Sequence, residues 1–119
     1  MEKVYGRVVC LEKDLEEAAF RIIASAGEAR GQAYDALDAY EGGEFDKVDE
    51  CLKKSGELIV EANKALFKLI QREARGEKVA FSLLLVHACD ILMVSTAERD
   101  LIKRVVKLVR LSNKGKEDI

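Results

Sequence analysis

Apolar residues in the first third of the chain recur at Leu15, Ala19, Ile22, Ala26, Ala29, Ala33, Ala36 and Tyr40. The steps alternate between four and three, which holds one narrow stripe on a helix; a strand would need steps of two. A second stripe follows at Phe45, Val48, Leu52, Ser55, Ile59, Ala62, Leu66 and Leu69. Between the stripes stand Gly42 and Gly43, and after the second comes Arg75, Gly76 and Glu77. Glycine enters the left-handed conformation that closes a helix, so both breaks read as reversals of the chain. A third helix then ends on Lys103, Arg104, Lys107 and Arg110, cations suited to the negative end of a helix dipole. With no proline and only 6% aromatic residues, long helices are favoured over strands. The expected fold is all-α: one domain over 1–119, helices at about 11–41, 44–75 and 80–112, and a loose tail at about 114–119. Short connections make it an antiparallel up-down-up bundle.

Charge and cysteine content narrow the function classes. Twenty basic and 22 acidic side chains leave a net charge of −2, and they are interspersed, so no polycationic face offers itself to nucleic acid. Cys10, Cys51 and Cys89 are odd in number and lack metal-binding spacing, which points to reduced thiols serving as small apolar residues. The broken apolar run Val4, Tyr5, Val8, Val9 and Cys10 is interrupted by Arg7 and does not have the design of a secretory signal, so a cytoplasmic protein is expected. Gly27, Gly31 and Gly56 lie inside helical stretches, where each costs about 1 kcal/mol relative to alanine. Close helix approach or a small-residue patch beside a ligand would compensate.

The third helix does not suit a simple bundle. From Val79 to Ala97, 14 of 19 residues are apolar and they surround the helix, whereas a three-helix monomer wets about half of each helix. A second cover is required. A membrane is a poor candidate, because an aspartate in mid-span costs roughly 2.5 to 3.5 kcal/mol or more and the flanking helices are heavily charged. Self-association around an axis is the better one. Two ionisable residues, His87 and Asp90, interrupt the run at i, i+3 and so share one side of the helix. For His87 one reading is a core histidine bonded to Asp90 or Asn63; another is a nucleophile whose imidazole nitrogen accepts a phosphoryl group. For Asp90 one reading is an ion pair with Arg30 or a lysine. Another is a threefold axis, where three carboxylates make an oxygen site for Mg²⁺ or another divalent cation. A metal site built from His87, Cys89 and Asp90 of one chain is disfavoured, since residues one and two apart on a helix diverge.

Ser82 to Met93, SLLLVHACDILM, resembles the "VHAQDHLM" signature of the lactose/cellobiose-type enzyme IIA phosphocarriers of the bacterial sugar phosphotransferase system. Ile22 to Arg30 (IIASAGEAR) is similar to that family's "IVAYAGDAR", Gly42 to Asp46 (GGEFD) to its "GDF" turn, and Glu61, Ala62 and Asn63 stand where it has "EAH". The similarity holds register from about Phe20 to Leu111. It implies a homotrimer of three-helix subunits without membrane insertion. It implies further that His87 takes phosphate from the carrier HPr and passes it to a cysteine of a IIB component, and that Asp90 lies on the trimer axis, where it can hold a metal ion. Four departures mark the chain: Cys89 for glutamine, Ile91 for the second histidine, Asn63 for the histidine of "EAH", and Leu66 for glutamine. If the helices align, all four surround the site and thin its polar shell. The alternative to a phosphocarrier is therefore a helical trimer that keeps the fold for interaction or scaffolding.

Overall fold

The computed structural model describes the backbone of residues 2–117 and the side chains of residues 13–115. Three helices make up the regular structure of the described residues: α1 (Glu2–Glu41), α2 (Phe45–Ala74) and α3 (Leu83–Glu117). α1 begins nine residues before the position expected from its stripe (11 against Glu2). The stripe marks burial, whereas residues 2–10 need only helix-compatible composition, and Glu, Lys and Arg supply it without proline. The same reason carries α3 through Lys114, Gly115 and Lys116 to Glu117, where a loose tail from 114 was expected. At the other end α3 starts at Leu83 and not at 80, because Ser82 caps it. The Ser82 hydroxyl accepts the Leu85 N–H at 3.3 Å and its carbonyl accepts the Val86 N–H at 3.0 Å.

Both reversals close on glycine. Gly43 has φ +76° and Gly76 φ +90°. The Glu44 N–H bonds the Ala39 carbonyl at 2.8 Å while the Gly43 N–H bonds that of Tyr40 at 3.2 Å. Glu77 and Gly76 repeat the pair on Arg72 and Glu73 at 3.1 and 3.0 Å. This double bond needs a left-handed residue at the first non-helical position, which glycine adopts without steric cost.

α1 carries the core for both neighbours. Ala19, Ile22, Ala26 and Ala29 pack with Ile59, Ala62 and Ala65 of α2 and with Ala88 and Leu92 of α3. Farther along, Ala33, Ala36 and Ala39 pack with Val48, Leu52, Ile102 and Val106. The alanine seam lets the helices approach closely, so the one polar member of the second stripe has its donor satisfied directly. Ser55 is fully buried and its hydroxyl donates to the Ala29 carbonyl at 2.6 Å. One position of that stripe stays outside the core and another reaches it only partly. Phe45 is exposed, and Ala65 is buried more deeply than its neighbour Leu66. Gly56 has a reason of its own: the guanidinium of Arg99 lies over it, 2.6 Å from where a Cβ would stand, and donates to the Leu52 carbonyl at 3.2 Å. Gly27 and Gly31 have nothing near them.

Contacts along the helices set their relative heights. Arg30 meets Glu98 at 2.8 Å, Arg110 meets Asp49 at 2.8 Å, and Arg72 approaches Asp14 at 3.7 Å. Such exposed pairs contribute about 0 to 1 kcal/mol each, so the apolar seam supplies the stability. Ile22 is one of the largest side chains with no exposure. Its replacement by alanine should cost about 2 to 5 kcal/mol in denaturant unfolding, the usual range for emptying a core site.

Candidate functional site

The site begins one turn after the Ser82 cap. α3 turns Ala88 and Leu92 inward onto α1 and α2, and that orientation leaves His87 and Asp90 on the outer side, both exposed. They line a shallow groove of about 350 Å³ between α1 and α3, together with Gly27 and Arg30 of α1 and Ile91, Val94 and Ser95 of α3. Its surface is mostly apolar. Ser95 is almost wholly buried and its hydroxyl has no hydrogen-bond partner. The sequence signals Ser95 only faintly, as one serine in an apolar run.

His87 is therefore not a core histidine, which removes one of its two readings. Asn63 lies elsewhere, with its amide donating to the Ile59 carbonyl at 3.1 Å. Asp90 does not pair with Arg30 either. Arg30 is bound to Glu98 at 2.8 Å and its guanidinium stands 5.3 Å from the centre of the Tyr34 ring. The Tyr34 hydroxyl and Arg30 together hold the Glu98 carboxyl below the usual carboxylate range. Among the described residues, Arg30 is the one Lys or Arg lining the groove, and it is thus already engaged.

Of the four departures, Ile91 alone lines the His87 groove. Asn63 lines a separate groove of about 550 Å³ on the outer side of α2, with Val60, Lys64, Phe67, Lys68 and Gln71. Leu66 packs against the core cluster that holds Ala88. Cys89 is half-buried, and burial followed by the neighbouring Asp90 carboxylate pushes its thiol pKa up, which keeps it protonated and unreactive at neutral pH. The expectation that all four surround the site fails for a geometric reason. Asn63 and Leu66 stand on α2, whereas His87 lines a groove formed by α1 and α3.

Asp90 and His87 are too few to hold a metal by themselves. Among the described residues no cluster of three or more His, Cys, Asp or Glu side chains converges, so a metal at Asp90 would need ligands beyond the described side chains of one chain. No described helix is long and apolar enough to cross a membrane.

The sequence and the three-helix fold recur in known proteins. Residues 17–110 match the family model of the lactose/cellobiose-specific IIA subunit of the phosphotransferase system. The chain belongs to that family. It is 37% identical over 91 residues to the lactose-specific EIIA component of Staphylococcus epidermidis, covering 76% of this chain and 88% of that protein. It is 36% identical to the oligo-beta-mannoside-specific EIIA component of Bacillus subtilis, covering 82% of this chain and 89% of that one. Among solved structures, the cellobiose-specific enzyme IIA of Bacillus anthracis superposes with a TM-score of 0.79 at 36% identity, covering 84% and 92% of the two chains. The IIA(chitobiose) protein of Escherichia coli, solved in complex with HPr, superposes with a TM-score of 0.71 at 34% identity, covering 83% and 96%.

Proposed function

We propose that this IIA-family chain is a phosphocarrier that relays a phosphoryl group through His87, from phospho-HPr to a IIB component, during carbohydrate uptake. The observation that carries the reading is the exposure of His87 in an apolar groove, where two protein partners can reach it in turn. That a relative at 34% identity was solved with HPr supports the first partner. In the first step the lone pair of a His87 ring nitrogen attacks phosphorus. A new N–P bond forms as the old one breaks, and its electron pair returns to the HPr imidazole. The second step forms a bond from a IIB cysteine sulfur to phosphorus and releases His87. Neither step needs more from the protein than position and charge.

The reading includes an assembly, in which up-down-up subunits associate as a homotrimer through α3. Leu83, Asp90, Val94, Ala97, Leu101 and Leu108 share one stripe of α3 and are all exposed in the single chain; His87 sits at the margin of that stripe, where the groove with α1 leaves it open to partners. That spacing is a coiled-coil seam, and it supplies the second cover that an all-round apolar helix needs. On a threefold axis the three Asp90 carboxylates converge. They fit a divalent cation such as Mg²⁺, whose chemistry there would be to neutralise like charges and so to tie the subunits together. An Asp90→Leu trimer should melt at the same temperature with and without chelator. Wild type should lose stability on chelation, since a ligand bound only by the assembled state stabilises it. Equal melting of wild type in both conditions would remove the metal.

One observation favours the second reading, a trimer kept for interaction or scaffolding. Ile91 and Val94 give the groove little polarity, and Arg30 is occupied by Glu98. Incubation with phospho-HPr separates the readings: a phosphocarrier acquires acid-labile phosphate that His87→Ala abolishes, and a scaffold acquires none.

A further inference from the structure

Two cations of the chain serve neither the core nor the His87 groove. Arg21 of α1 and Lys68 of α2 line one groove of about 200 Å³ between these helices, and both are exposed. Neither stands in an ion pair among the described residues, whereas the interhelical arginines Arg30, Arg72 and Arg110 are each paired. The groove is separate from the His87 site. Arg21 and Arg30 lie about two and a half turns apart on α1, which puts them on opposite sides of that helix. Accordingly Arg30 lines the groove with α3 and Arg21 the groove with α2. An assembly through α3 leaves the α1/α2 groove open to solvent.

The backbone brings the two cations together. α1 and α2 run antiparallel, since Ser55 bonds Ala29 while Arg72 approaches Asp14. Counting from either contact sets Lys68 level with about Glu17, and Arg21 level with the turn of Ala65, roughly one turn away. Side chains lean towards the N-terminus of their own helix. On antiparallel helices that tilt carries Arg21 towards the level of Lys68 and Lys68 towards the level of Arg21. Beneath them the groove is lined by Ala18 and Ala65, whose small side chains leave a notch where longer ones would fill the seam.

The acids occupy the other end. Asp14 and Glu17 line the same groove, about two turns and one turn before Arg21 on α1. Asp14 holds Arg72 at 3.7 Å and Glu77 holds it again at 2.9 Å, so the charge of Arg72 is already answered. The groove thus offers uncommitted cations at one end and carboxylate acceptors at the other. A guanidinium and an ammonium give charge-assisted bonds to phosphate oxygens. Carboxylates accept hydroxyl protons and repel a second phosphate.

We propose that the α1/α2 groove binds a small hydroxylated phosphate monoester, with its phosphate on Arg21 and Lys68 and its hydroxyls on Glu17 and Asp14. The site stands whether or not His87 relays phosphoryl groups.

The probes are glucose 6-phosphate, inorganic phosphate and glucose, each titrated at fixed ionic strength into the isotope-labelled full chain and followed by NMR of amide and arginine Nε groups. Glucose 6-phosphate should move resonances within residues 14–21 and 65–72 and leave those of residues 87–95 in place. Inorganic phosphate should bind at the same cations at least about tenfold more weakly, because it leaves the acceptors unused. Glucose should not bind. Arg21→Gln with Lys68→Gln changes only exposed side chains and should fold as wild type, yet weaken glucose 6-phosphate binding at least about tenfold. Glu17→Gln should narrow the preference for glucose 6-phosphate over inorganic phosphate. No shifts with either anion, shifts confined to residues 87–95, equal affinity for the two anions, or undiminished affinity in the double variant would each overturn the proposal.

Discussion

Leu101→Asp with Leu108→Asp should convert the proposed α3-seam trimer to a monomer of 13.3 kDa without unfolding the chain. Both leucines are largely exposed in the single chain, 64% and 58%, so aspartate there removes little intrachain packing. In the trimer each leucine on the α3 seam contributes about 1.5 to 3 kcal/mol through burial. Each aspartate would place an unpaired carboxylate beside its copies at a further cost of several kcal/mol. Two substitutions per chain, repeated around the proposed threefold axis, put six such carboxylates on the seam. Sedimentation equilibrium should give the monomer mass, and helical circular dichroism should be preserved. A variant that stays trimeric places the assembly on another surface.

The helices and their reversals are legible because they rest on local rules. Steps of three and four give the stripe of α1 from Leu15 to Ala36, and Gly43 and Gly76 sit where a left-handed residue is obligatory. The start of α1 at Glu2 is not legible, because helix continues wherever composition permits, whether or not a face is buried. Side-chain partners are less legible still. Arg30 offers no local sign that it would choose Glu98 over Asp90, since both acids lie on α3 and only the relative height of two helices decides between them. Ser55 in an apolar stripe and Gly56 in mid-helix look like weaknesses in sequence, yet one bonds the Ala29 carbonyl and the other makes room for Arg99. The distribution of Cys89, Asn63 and Leu66 away from the His87 groove depends on which side of α3 faces α1. Periodicity sets the buried face of a helix and says nothing about which neighbour stands on either flank.

His87→Ala should abolish phosphoryl uptake completely. General structural effects are small for an exposed residue, and a phosphoryl group transferred through a covalent N–P bond has no route around a missing nucleophile. His87 is the only histidine of the chain, so an N–P label that is stable in alkali and labile in acid cannot arise at a second imidazole. The decisive measurement is mass spectrometry of the wild-type protein after incubation with phosphoenolpyruvate, enzyme I and HPr, followed by addition of a IIB component. The account predicts one phosphoryl group per chain, located at His87 and discharged when IIB is added. A chain that remains unmodified while HPr is fully phosphorylated, or a label that resides on another residue, would contradict it.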